Sequence, residues 1–203
     1  MKNKEKLLIG ITGGIGSGKT IFANLIKNKG YDVIFTDDLA KKIINENEEV
    51  QNQLKKEFGE NCFVAGNYNV EYISNLVFAD NSKLAKLNRI VIPKVIDKLI
   101  EEIELLQNLN NELIFVESAL LYEFNLEDGF DYVISVSSKL ENRINRIKQR
   151  NNLTDLEIKT RIESQMSQEE KNKLSDFIID NDKDILELEK SVDFIIDVLK
   201  ILV

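Results

Sequence analysis

Five short stretches of the chain are dominated by apolar residues, and the segments between them repeat apolar positions every three or four residues. The short runs are Leu7–Ile11, Asp32–Thr36, Leu113–Val116, Tyr132–Val136 and Phe177–Ile179. Runs this short and this continuously apolar read as strands buried on both faces. Helical spacing covers Ile21–Lys29, Leu39–Ile44 and a longer stretch through Phe58, then Tyr72–Asp80. From Ser82 the pattern is helical again, interrupted by Pro93, the one proline of the chain. Beyond it Ile92, Val95, Ile96, Leu99, Ile100, Ile103 and Leu106 form one amphipathic stripe. Leu140–Arg150, Asp155–Gln165 and Asp184–Leu202 complete the helices, and Cys62–Asn69 reads as a loop or hairpin around Gly66-Asn67. Strands alternating with helices imply a parallel sheet covered on both faces, joined by right-handed crossovers. The span from about Lys41 to Gln107 is too long for a single crossover helix. It is expected to be an inserted helical subdomain over a substrate site.

Composition narrows the chemistry. The chain has 203 residues, 43% hydrophobic and 31% charged, which is ordinary for a globular protein of one compact domain with insertions. The net charge of −8 argues against a nucleic-acid partner, because a phosphate backbone needs a basic face. The single cysteine, Cys62, excludes an intrachain disulfide and reads as a packing residue. There is no histidine, so a general base must be Asp, Glu or Lys. The segment Met1–Lys6 is polar and the apolar run after it is too short for a signal peptide or membrane span, so no membrane partner and a cytoplasmic location are expected.

Gly13-Gly14-Ile15-Gly16-Ser17-Gly18-Lys19-Thr20 fits G-x-x-x-x-G-K-[ST] and lies between an expected strand and an expected helix, the setting of a phosphate-binding loop. Glycines let main-chain N–H groups turn inward, and the helix N-terminus adds its dipole. Gly14, Ile15, Gly16, Ser17 and Gly18 would line the cradle. Lys19 would reach the β- and γ-phosphates, and the Thr20 hydroxyl would ligate Mg²⁺. A nucleoside triphosphate, with Mg²⁺ as cofactor, is the expected ligand.

Four further positions carry candidate chemistry. Thr36-Asp37-Asp38 stands at the carboxyl end of the second strand, where open parallel sheets bind ligands. A carboxylate there can accept a proton from a substrate hydroxyl, or Asp37 or Thr36 can cap the next helix. Arg143, Arg146 and Arg150 share a helix face. That face would close over a triphosphate, or lie in solvent beside Glu141 and Asp155. Glu117 follows the apolar Leu113–Val116 and either holds Mg²⁺ through water or ends the strand. Glu123, in Leu120-Leu121-Tyr122-Glu123, orders the site or binds substrate, or else serves packing or the surface.

The chain resembles the dephospho-CoA kinases from Ile9 to about Asn181. The resemblance is carried by Gly10-Ile11-Thr12-Gly13-Gly14-Ile15-Gly16-Ser17-Gly18-Lys19-Thr20, Val33-Ile34-Phe35-Thr36-Asp37-Asp38-Leu39-Ala40, Leu120-Leu121-Tyr122-Glu123, Arg146–Arg150, Arg161–Gln165 and Ile179-Asp180-Asn181. The family's strand-end motif reads D-A-D-x-[IL]-A. Its second Asp falls on Asp37, which the resemblance makes the general base, while Phe35 takes the place of the first. The family's His-Pro is Ile92-Pro93 here, and the R-D of its lid is Arg150-Asn151. The family pattern also places Lys171 after the lid helices, near the nucleotide.

The resemblance implies a three-layer α/β P-loop NTPase fold. Its parts would be a five-stranded parallel sheet with a core of about 1–40, 110–138 and 175–203, a helical CoA-binding insert of about 41–109 and a helical lid of about 139–174. It implies transfer of the ATP γ-phosphate to the ribose 3′-hydroxyl of dephospho-CoA by a monomer or weak homo-oligomer. Asp37, Lys19, Arg146 and Arg150 would be catalytic, both arginines would also bind ATP, and Asp37, Leu120 and Glu123 would bind the acceptor. Other small-molecule kinases share the loop and lid arginines, and a nucleotide-binding module without turnover would share the loop. A GTP switch would need N-K-x-D and D-x-x-G, and neither occurs.

Overall fold

The computed structural model describes residues 6–108, 112–150 and 153–203. In chain order the elements are β1 (Leu7–Thr12), α1 (Lys19–Asn28), β2 (Asp32–Phe35), α2 (Thr36–Glu46), α3 (Glu48–Phe58), β3 (Phe63–Val64), β4 (Asn67–Tyr68), α4 (Val70–Ala79) and α5 (Asn81–Gln107). There follow β5 (Leu113–Glu117), β6 (Tyr132–Ser137), α6 (Leu140–Arg150), α7 (Asp155–Glu163), α8 (Gln168–Leu174), β7 (Phe177–Asp180) and α9 (Ile185–Leu202). The chain forms two compact units. One holds the residues up to Phe35 and Ile103–Val203, the other Thr36–Glu102.

The first unit is built on a sheet of order β2-β5-β1-β6-β7, and every pairing in it is parallel. The strand after β1 lies two places to one side and β6 lies on the other, so β1 sits at the switch point where ligands bind beyond the strand ends. Register brings Glu117 level with both Ile11 and Phe35 at that end of the sheet. One face of the sheet carries the main core. There Leu7, Ile9, Ile11, Phe115, Ile134 and Val136 meet Phe22 and Ile26 of α1 and Val192, Ile195 and Leu199 of α9. These spacings of three and four on α9 are the stripe that makes it fold. On a second, smaller cluster Leu121, Tyr122 and Val133 pack with Leu126, Phe130 and Met166. Gly10 faces this cluster, and a Cβ there would lie 2.6 Å from the Leu121 side chain, which would have to shift.

The second unit carries its own buried residues, among them Leu39, Val50, Leu54, Phe58, Ile73, Val77, Val95 and Leu99. Cys62 is among them too, with its thiol pKa raised by burial, in keeping with a packing role. Asn47 accepts the Val50 N–H at 3.0 Å to start α3, and Asn69 accepts the Tyr72 N–H at 3.1 Å to start α4. The β3–β4 hairpin turns on Ala65-Gly66, both at positive φ, rather than on Gly66-Asn67, because a two-residue loop of that twist joins antiparallel strands. Pro93 does not interrupt α5, which runs on as one helix of 27 residues. The missing N–H costs one hydrogen bond, to the Arg89 carbonyl, while Val91, Val95 and Leu99 bury themselves on both sides of it. Helix α8 has no counterpart among the expected helices.

Candidate active site

The chain leaves β1 at Thr12 and re-enters regular structure at Lys19. Gly18 caps α1 in the left-handed region, at φ 96°, and supplies no side chain to the first-turn amides. Those N–H groups and the dipole behind them form an anion-binding surface. Ser17 donates its N–H to the Gly14 carbonyl at 3.0 Å, closing a tight turn. Gly16, at φ 80°, lies so near Arg143 that a Cβ would come within 2.6 Å of the Arg143 carbonyl oxygen. Glycine is needed at both places.

The outer side of the loop is wired by side chains from distant segments. Arg143 is buried, and its Nε donates to the Ile15 carbonyl at 2.9 Å. Arg146 donates to the Ser17 carbonyl at 3.2 Å and to the Asn181 carbonyl at 2.6 Å. Asn181 in turn donates from Nδ2 to the Ser17 carbonyl at 2.8 Å. Gln165 and Gln168 accept the N–H groups of Ile15 and Gly14, each at 2.9 Å. Of the three arginines on the α6 face, Arg143 therefore holds the loop's backbone from behind. Arg146 holds it and also borders an open cleft of about 340 Å³, lined besides by Gly16, Lys19, Thr20 and the exposed Arg150. Asn151, which follows Arg150 in the lid motif, lies outside the described residues.

Lys19, Thr20 and Glu117 converge at the mouth of the loop. Lys19 Nζ lies 3.5 Å from Glu117 Oε1, and Thr20 Oγ1 donates to the same oxygen at 3.4 Å. Glu117 is 2% exposed, at the carboxyl end of β5. One hydroxyl and one carboxylate suit Mg²⁺, which takes one or two protein oxygens and fills its octahedron with phosphate and water. Among the described residues no group of three or more His, Cys, Asp or Glu side chains makes a metal site of its own.

Asp37 is exposed in the first turn of α2, two residues past the end of β2. Its carboxylate makes no hydrogen bond among the described residues, so it does not act as a helix cap. Phe35 ends β2 in register with Glu117, and Lys27 Nζ stands 5.6 Å from its ring centroid. Leu120 is half-buried in the loop after β5. Glu123 commits both carboxylate oxygens to Lys171 Nζ at 2.9 Å and takes the Met166 N–H at 2.8 Å. Lys171 is wholly buried, so it lies beneath the site rather than open to a nucleotide. Burial pushes its pKa down, Glu123 pulls it up, and the charges of Lys19 and Arg143 push it down again, leaving it below the ordinary lysine value. Gln168 carries no motif and sits in a polar seven-residue helix. Gln165 and Asn181 lie in segments of the resemblance that assign them no role.

A family model described as dephospho-CoA kinase matches residues 7–187. The chain belongs to the dephospho-CoA kinase family. It is accordingly a transferase, a phosphate-loop kinase of three-layer α/β architecture. A dephospho-CoA kinase of Listeria monocytogenes serotype 4b is 34% identical over 185 residues, covering 91% of this chain and 92% of the relative. A crystal structure from Thermus thermophilus superposes with TM-score 0.79 at 34% identity, covering 97% of this chain and 99% of that one. The dephospho-CoA kinase of Campylobacter jejuni superposes at 0.69 with 27% identity over 94% and 95% of the two chains.

Proposed function

We propose that the chain transfers the γ-phosphoryl group of ATP to the ribose 3′-hydroxyl of dephospho-CoA. The observation that carries this reading is the convergence of Lys19, Thr20 and Glu117 on one point at the phosphate loop of a chain belonging to this family. The 3′-oxygen forms the new bond to the γ-phosphorus as the bond to the β–γ bridging oxygen breaks. ADP leaves, and the hydroxyl proton passes to Asp37. Such transfer has a loose transition state, so positioning and charge neutralisation carry most of the catalysis. Lys19 and the loop amides neutralise the β- and γ-oxygens, and Arg150 and Arg146 border the same cleft. Thr20 and Glu117 would hold Mg²⁺, which would supply further charge neutralisation.

Residues 41–109 act as the acceptor-binding insert and 139–174 as the lid in this reading, with Leu120 and the loop around it contacting the acceptor. Lid closure excludes water, which otherwise competes for the phosphoryl group. We place the reaction in the cytoplasm, where ATP is the phosphoryl donor. No helix among the described residues is long and apolar enough to cross a membrane. Phosphorus-31 NMR of the product made from ATP and dephospho-CoA tests the assignment. A new phosphomonoester coupled to the ribose C3′ proton is expected. Release of inorganic phosphate alone, or phosphorylation of a different hydroxyl, would contradict it.

A further inference from the structure

Helix α8 sends polar side chains to two loops at once. Gln168 Oε1 accepts the Gly14 N–H at 2.9 Å, while its Nε2 donates to Asn172 Oδ1 at 2.8 Å and to Ser135 Oγ at 3.0 Å. With Nε2 committed to two acceptors, Oε1 is the atom left to face Gly14, so the network fixes the carboxamide's orientation. Asn172 is itself held, since it accepts from Ser135 Oγ at 2.7 Å and donates to Ser137 Oγ at 3.0 Å. On the same helix Lys171 Nζ donates to the Ala119 carbonyl at 2.6 Å and to both Glu123 oxygens at 2.9 Å. Just past the helix end, Ser175 Oγ meets the Tyr122 hydroxyl at 2.8 Å.

One helical turn thus grips the phosphate loop through Gln168 and the loop after β5 through Lys171. The Lys171 grip is not easily exchanged for water. Lys171 is 0% exposed, and releasing Glu123 would leave a buried ammonium unpaired. Gly13 and Gly14 pack closely against Val136 and Arg143, so a shift of the phosphate loop is passed to the residues bonded to it.

We propose that Gln168 and Lys171 are positioning residues that tie the nucleotide loop to the loop at 119–123, so that filling one substrate site raises the affinity of the other. The inference rests on the proposed reaction and on the acceptor contact assigned to that loop. Linkage requires the effect to be reciprocal.

Calorimetry tests it with Mg·ADP, which binds the loop but cannot phosphorylate the acceptor. The Kd of Mg·ADP is measured alone and with saturating dephospho-CoA. In the unaltered chain it is expected to fall about fivefold or more on adding the acceptor, the lower end of ordinary site coupling. In Gln168→Ala the ratio is expected to collapse toward one. Glu123→Gln, which keeps the side-chain shape but weakens the hold on Lys171, is expected to lower it as well, and decides the matter if Gln168→Ala does not fold. A merely structural role would lower thermal stability without changing the ratio. A ratio of one in the unaltered chain, or a ratio preserved in the variants, overturns the proposal. Phosphoryl transfer to dephospho-CoA is followed in parallel. Transfer with uncoupled affinities removes only this link, whereas no transfer at all removes the reaction and the link together.

Discussion

Asp37 and Arg143 illustrate how differently two charged residues of one region are employed. Asp37 is exposed, and among the described residues no hydrogen bond engages its carboxylate, so the fold draws only weak, solvent-screened interactions from its charge, with Lys41 and the α2 dipole. Arg143 is buried with its Nε given to a loop carbonyl, so the fold does depend on it. For Asp37→Asn we expect stability within about 0.5 kcal/mol of the unaltered chain, as for other exposed substitutions. Turnover should fall by about 10²–10⁴, the usual worth of a positioned base, with KM for ATP nearly unchanged. Steady-state kinetics check this, and normal turnover would remove Asp37 from the chemistry. Lys19 and Thr20 were legible in the sequence because the loop motif fixes both identity and spacing. The arginine spacing correctly put three cations on one face of α6. It did not reveal that Arg143 and Arg146 would bond backbone carbonyls, since carbonyls carry no sequence signature.

Helices α7 and α8 owe their starts to caps more than to hydrophobic stripes. Thr154 with Glu157, and Ser167 with Glu170, form reciprocal capping boxes. Hydrogen bonds from Ser167 hold the Glu170 carboxyl below its ordinary value of 4.5, and those from Thr154 do the same for Glu157. A depressed carboxylate stabilises the fold fully above its unfolded pKa, and that contribution disappears as the pH falls through the folded value. Chemical denaturation at pH 7 and again below pH 4.5 should therefore show a smaller acid-induced loss of stability in Glu170→Gln than in the unaltered chain. An identical loss in both would mean the cap contributes nothing. The same helix shows where apolar periodicity fails as a guide. Gln168–Leu174 has one apolar residue in seven, so only the Ser167-x-x-Glu170 spacing announced it. Pro93 misled in the opposite direction, because burial of Val91, Val95 and Leu99 outweighs one lost backbone bond.

At the scale of the whole molecule, five apolar runs were enough to read a parallel sheet, since strands covered on both faces leave little room for polar residues. Their spatial order was not written in those runs, because Leu113–Val116 and Leu7–Ile11 look alike whether they are neighbours or not. The sheet places β1 between β5 and β6, and that puts Glu117 beside the phosphate loop although 97 residues separate it from Thr20. A chain of net charge −8 thereby assembles Lys19, Arg146 and Arg150 around one cleft, a local reversal of sign suited to a polyphosphate. The central claim is that this cleft delivers a phosphoryl group to dephospho-CoA and not to water. It is tested most directly by following ADP formation from Mg·ATP with and without dephospho-CoA. The account predicts negligible ADP without the acceptor, and one ADP for each acceptor consumed when it is present. ADP formed at the same rate in both reactions, or in neither, would contradict it.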